Sequence, residues 1–343
     1  MWHANASQIC FALNFGRLNN LQKQSILATM VSSPLSIRTL SLALFFILLF
    51  NPSLSYGYGP SKVVMTHHGG PLLTGTLNLA LIWYGRCGRI QKSTIRNFIK
   101  SLNNEGDRTN LQPQVSSWWS VVESYQSAVP GARYGRRRSP RIIVNVVKQV
   151  SDLTYKYGKI LTTVDYIPKL VHDATNGDPD LIPVIVTARD VTVQGLCTGK
   201  CADHGVVENN KPYIIVGNPE TECPGSCGWP FHQSDYGPKG MVLQPPNANM
   251  AADAMVIALA TALADTVTNP FNNGFYHGNM VHEVGPGSAC RGIFGGGAFP
   301  GNPGKVHIDP TNGGAFNAHG NKGRKFLLPA VWNPRTSSCW TLM

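Results

Sequence analysis

The chain is poor in acidic residues. It holds 18 Asp and Glu against 29 Lys and Arg in 343 residues, for a formal charge of +11. So few carboxylates limit chemistry that needs them in facing pairs. The excess of base directs the protein toward acidic polymers, membrane surfaces or nucleic acid. Linker-like low-complexity stretches, heptads and fixed-period repeats are missing, which removes coiled coils and solenoids. After residue 55 there is no Asn-x-Ser/Thr glycosylation sequon; Asn51-Pro-Ser is blocked by its proline.

The motifs that would announce an enzyme are missing too. A zincin helix needs two histidines at i and i+4, so that both face one metal. His282-Glu283 begins such a string, but position 286 is proline. Gly199-Lys200 is followed by Cys201, where a phosphate-binding loop needs Ser or Thr. Gly225-Ser226-Cys227-Gly228 has the wrong spacing for a nucleophile elbow. In Gly295 to Gly304 the third glycine of a dinucleotide fingerprint is replaced by Pro300. No cofactor is assigned.

What is present begins with an apolar run, Leu40 to Phe50, after Arg38 and before Ser53-Leu54-Ser55. A basic flank, a short apolar core and small residues at the exit describe a signal peptide over 30–55. The run is too short to span a membrane. Residues 1–29 read as an upstream extension. Removing residues 1–55 takes away Arg17, Lys23 and Arg38 and no acid, so the charge becomes 11 − 3 = +8. The expected location is extracellular, and the expected partner there is an acidic polysaccharide rather than nucleic acid. Gly131 to Arg141 carries Arg133, Arg136, Arg137, Arg138 and Arg141, an anion-binding candidate. The competing reading is a solvated surface loop.

Six cysteines, Cys197, Cys201, Cys223, Cys227, Cys290 and Cys339, lie in the glycine-rich second half. Export favours disulfides, with 15 connectivities open. Zinc is the competing reading, because C-x3-C occurs twice with His204 and His232 nearby. Cys87 is left over as a free thiol. Asp190, Asp203 and Asp235 have no evident partner in the sequence.

The elements alternate between strand and helix. Strands are expected at Thr76–Tyr84, Arg141–Val150, Leu181–Thr187 and Tyr213–Gly217, with Pro183 placing the third at an edge or bulge. Helices are expected at Gln91–Leu102, at Val115–Ser127 capped by Ser116 or Ser117, and at Thr163–Ala174. Trp118 and Trp119 suit core packing better than sugar stacking. Asn249–Thr268 is Ala-rich and apolar on most sides, so it reads as a central buried helix in which Asp265 needs a partner. The tail from Phe271 has little periodicity, buries little core by this reading, and needs cross-links. The expected fold class is α/β: one large domain over 56–343, with a mixed sheet, a central buried helix and a Gly-rich, disulfide-stapled C-terminal part.

Several strings resemble the EXORDIUM / phosphate-induced protein 1 family of plants. They are His68-Gly-Gly-Pro-Leu-Leu-Thr-Gly, Leu81-Ile-Trp-Tyr-Gly, Ser117-Trp-Trp, Thr187-Ala-Arg-Asp-Val, Cys223-Pro-Gly-Ser-Cys, Pro245-Pro-Asn, Val267-Thr-Asn-Pro-Phe and Phe326-Leu-Leu-Pro-Ala. They cover residues 60–343 in order. The resemblance implies a secreted cell-wall or apoplast protein linked to growth control and to brassinosteroid and carbon-status responses, with no active site to carry over. Leu263 to Pro270 is also similar to the end of a metallopeptidase helix string. That string would put its metal-binding His at Thr261 and its Glu at Ala262, implying a zincin-like scaffold without its metal. Two functions follow as expectations. One is a non-catalytic wall or signalling protein that binds acidic polysaccharide or a receptor ectodomain. The other is a hydrolase acting on wall polymer or peptide.

Overall fold

The central strand β1, Thr76–Tyr84, decides the layering. Its side chains alternate, so Leu77, Leu79, Leu81 and Trp83 enter one core while Ile82 and Tyr84 enter another. The computed structural model describes residues 63–103, 111–132, 139–207, 210–235, 238–279 and 283–343. The signal-peptide and extension readings, and Arg133, Arg136, Arg137 and Arg138, fall outside these. Residues 63–343 make one compact unit.

Beside β1 lie β2 (Ile143–Asp152), β3 (Leu181–Thr187), β4 (Ala202–Val207) and β5 (Lys211–Val216). The order is β2-β1-β3-β5-β4, parallel except for β4, which pairs antiparallel with β5. The sheet is therefore mixed. Strand β4 was invisible in the sequence because Ala202–Val207 contains Asp203, His204 and Gly205 and none of it is fully buried. Pro183 is not on a sheet-edge strand. It pairs with Ala80 of β1, and β5 begins its pairing only at Val184, so the missing N–H meets a single neighbour.

Helices cover both faces. Helix α1, Arg89–Leu102, presents Ile95, Phe98, Ile99 and Leu102 to the first core. Helix α2, Val115–Glu123, continues as a 3-10 turn over Ser124–Ser127. Its cap is Gln114, not Ser116 or Ser117, and no side chain bonds the first amides. Trp118 and Trp119 are buried; their indole N–H groups donate to the carbonyls of Pro329 and Ile142, at 2.7 and 2.9 Å, so both are core residues. Helix α3, Ile167–Thr175, carries Pro168 in its first turn and packs on the opposite face through Ile167, Leu170 and Val171. After the single turn α4, Pro224–Cys227, comes α5, Met250–Thr268. Helix α5 is buried on nearly every side and lies on the same face as α1 and α2.

In a parallel sheet of this order the crevice between β1 and β3 is the usual ligand site. Here the ring of Tyr155 packs against Gly85 at that point. A Cβ on Gly85 would lie 2.7 Å from the ring, and its φ of +87° suits glycine. The Tyr155 hydroxyl donates to Asp190, which also pairs with Lys159 at 2.6 Å.

The tail corrects the expectation that it buries little. Phe294, Phe316, Phe326, Leu327, Leu328 and Val331 are all buried, although its strands are only two or three residues long. Asn317 supplies the missing order: its amide donates to the carbonyls of Phe294 and Leu328 and accepts from Leu328 N–H.

Candidate functional site

The six cysteines form three disulfides: Cys197–Cys223, Cys201–Cys227 and Cys290–Cys339. Each C-x3-C pair is split between two bridges, so the hairpin end before β4 is tied to α4 by two parallel links. Among the described residues, the one group of His, Cys, Asp and Glu side chains close enough to hold a metal is Cys197, Cys223 and Cys227, whose sulfurs are bridged. With their sulfurs bridged, these cysteines offer no thiolate to a metal in this structure. Cys87 is the free cysteine among the described residues; burial pushes its thiol up to about 11.

The two parallel bridges wall a pocket of about 740 Å3. One side is Cys197–His204, with Gly225–Cys227 and Trp229. The floor is α5, which contributes Ala254, Ile257, Ala258, Thr261, Ala262 and Asp265. These positions follow i, i+3, i+4, i+7, i+8 and i+11, one continuous helical face. The last side is the loop from Glu283 to Phe294. That loop approaches α5 very closely: a Cβ on Gly287 would stand 2.4 Å from the Thr261 carbonyl, and one on Gly285 2.3 Å from an Asp265 oxygen.

Asp265 is the most buried acidic residue lining the pocket, 4 % exposed. Its Oδ1 accepts from Gly287 N–H at 2.7 Å and its Oδ2 from the Ser288 hydroxyl at 2.5 Å. Burial pushes its carboxyl up, while the nearby His204 and these hydrogen bonds pull it down. Beside it, the Asn269 amide donates to Glu283 Oε2 at 3.1 Å, and the His204 Nε2 lies 3.2 Å from the Asn269 carbonyl. Asp203 is paired with Lys200 at 2.9 Å. Asp203 and Asp190 thus have partners that sequence alone did not show. Arg141, the described member of the arginine candidate, donates to the Asn103 carbonyl at 3.1 Å, away from the pocket-lining residues.

Of the sequence candidates, Asp265, Asp203, His204 and three of the cysteines, Cys197, Cys201 and Cys227, come together here. Glu283 entered the sequence reading only as part of a failed zincin string. The pocket draws on five separate segments of the chain, so no local spacing could disclose it. Thr261 and Ala262 face it, where the metallopeptidase string would need His and Glu. The Thr261 hydroxyl donates back to the Ile257 carbonyl.

The fold and site define an α/β protein with helices on both sheet faces and a disulfide-walled pocket over its buried helix. The family described as Phosphate-induced protein 1 conserved region matches residues 65–342, and the chain belongs to that family. It is 42 % identical to EXORDIUM-like 2 of Arabidopsis thaliana, over 82 % of this chain and 90 % of that protein. It is 41 % identical to EXORDIUM of the same plant over the same shares. It is 39 % identical to PHOSPHATE-INDUCED 1 of Nicotiana tabacum, over 83 % and 90 %. No solved structure matches, so the zincin-like scaffold gains no support from a structural relative.

Proposed function

We propose that this chain is a secreted, non-catalytic protein of the plant cell wall or apoplast. Its role is growth regulation linked to brassinosteroid and carbon status, and it binds an acidic wall polysaccharide or a receptor ectodomain. One observation carries the non-catalytic reading. The Asp265 carboxyl, the buried acid of this pocket, is held by Gly287 N–H and Ser288 Oγ, with Thr261 and Ala262 beside it rather than metal ligands. The positive charge supports the acidic partner. The test is retention of the purified protein on de-esterified pectin as salt is raised. Retention that falls with salt, and weakens when Arg133, Arg136, Arg137 and Arg138 become Gln, is the expected result. Absent or salt-insensitive retention removes the wall-polymer reading.

A hydrolase is the second reading, favoured by Asp203, Asp265 and Glu283 sharing one pocket with His204. It prevails if the protein releases sugar or peptide products from wall material and Glu283→Gln does not.

A further inference from the structure

The pocket is chemically two-ended. Along α5 its wall is apolar, with Ala254, Ile257 and Ala258 facing Trp229 and Phe294. A cavity of about 740 Å3 lies within the size range of small-molecule sites, roughly 300–1,000 Å3. At the other end stand Asp265, Asn269, Glu283 and His204. Among the described residues no lysine or arginine is ion-paired with Asp265 or Glu283. The Asp265 oxygens are occupied by a backbone N–H and a hydroxyl, and burial favours its neutral form. Glu283 is only half-buried, and its hydrogen bond is a neutral amide from Asn269. Glu283 is therefore the carboxylate at this end whose hydrogen bonding leaves an oxygen open to a ligand. A carboxylate facing an apolar cavity with no lysine or arginine partner among the described residues suits a cation brought in by the ligand. A metal ion fits less well, because Asp265, Glu283 and His204 do not form a ligand set among the described residues. The basic lining residues are at the exposed part: Lys200 is already paired with Asp203, and Arg291 is exposed.

We propose that the pocket over α5 binds an organic ammonium ion, an alkyl- or arylalkylamine. Its charged head meets Glu283, and its apolar body lies along Ala254, Ile257 and Ala258 against Trp229. The site is separate from the wall-polymer reading, which concerns the basic surface; pectin retention and amine binding can each fail alone.

Calorimetric titration of the purified protein tests it with phenethylamine, its neutral analogue phenethyl alcohol, and the anion hydrocinnamate. Doubly capped lysine forms a fourth arm and separates a free amine from a lysine side chain on a partner. The amine is expected to bind about tenfold or more tighter than the alcohol, a difference of about 1.4 kcal/mol, with hydrocinnamate weakest. Glu283→Gln keeps an acceptor for the Asn269 amide and should bring the amine down to the level of the alcohol. Ala258→Trp fills the apolar wall and should abolish both. The proposal is overturned if the alcohol matches the amine, if hydrocinnamate binds best, if Glu283→Gln leaves amine affinity unchanged, or if no probe binds. Circular dichroism of each variant separates lost binding from lost folding.

Discussion

Asp253 sits in the first turn of α5, only 3 % exposed, and takes two hydrogen bonds from Asn247, one from the backbone N–H and one from the side-chain amide. Burial raises its carboxyl to about 7, with the Asn247 bonds acting the other way. In the unfolded chain an aspartate titrates near 3.9, on the order of the model-peptide value. Between those two values the folded protein keeps a proton that the unfolded chain has released. Stability from this group is therefore complete at the acid end and is lost as pH rises toward about 7. The slope from one proton is at most about 1.4 kcal/mol per pH unit. Asp265 slopes the same way, since its value is also raised. The prediction is a difference: Asp253→Asn should show a shallower fall in urea-unfolding free energy than the parent protein across the mildly acid range. Parallel slopes for the two proteins would show that Asp253 titrates normally in the fold.

Helix α5 shows how an element can be legible while its neighbours are not. Its apolar, alanine-rich sequence could satisfy burial only as a core helix, and the structure agrees to within one residue at the start. The same clarity held for β1, where alternation followed by an apolar run marked a strand buried on both faces. Strand β4 failed because its residues are half-exposed and polar, so its placement comes from pairing with β5 rather than from any pattern of its own. The start of α2 at Val115 was legible, but its cap was not: Ser116 and Ser117 lie inside the helix, and Ser116 donates to the side chain of the capping Gln114. At α5 the cap is made by a side chain, since Asn249 Oδ1 accepts from Ala252 N–H at 2.8 Å. Asn249→Ala should cost about 1 kcal/mol in urea unfolding, while Asn249→Asp should retain most of it. Equal losses in both variants would assign the effect to packing around the pocket instead of to the cap.

At the scale of the whole molecule, the site was half legible. The sequence marked the cysteines and the lone Asp265, yet the pocket is assembled from the Cys197–His204 segment and α4, which two disulfides link, over one face of α5. Their connectivity also separates two accounts of how the glycine-rich half is held. Cys197–Cys223 and Cys201–Cys227 each span 26 residues and overlap almost completely, whereas Cys290–Cys339 spans 49 and overlaps neither. With one overlapping bridge in place, the other restricts only the short remaining ring of about ten residues. In the chain-entropy account that adds about 3 kcal/mol, against about 4 kcal/mol for the long loop. The expected order is thus a smaller loss for the Cys197→Ser/Cys223→Ser pair than for the Cys290→Ser/Cys339→Ser pair, read from urea unfolding of the two double variants. Both partners are replaced together, because the Cys197, Cys223 and Cys227 sulfurs lie within 4.8 Å of one another and a single substitution would leave a thiol free to exchange. The reverse order would mean that Phe294, Phe326 and the Asn317 hydrogen bonds, rather than the bridge, hold the tail in place.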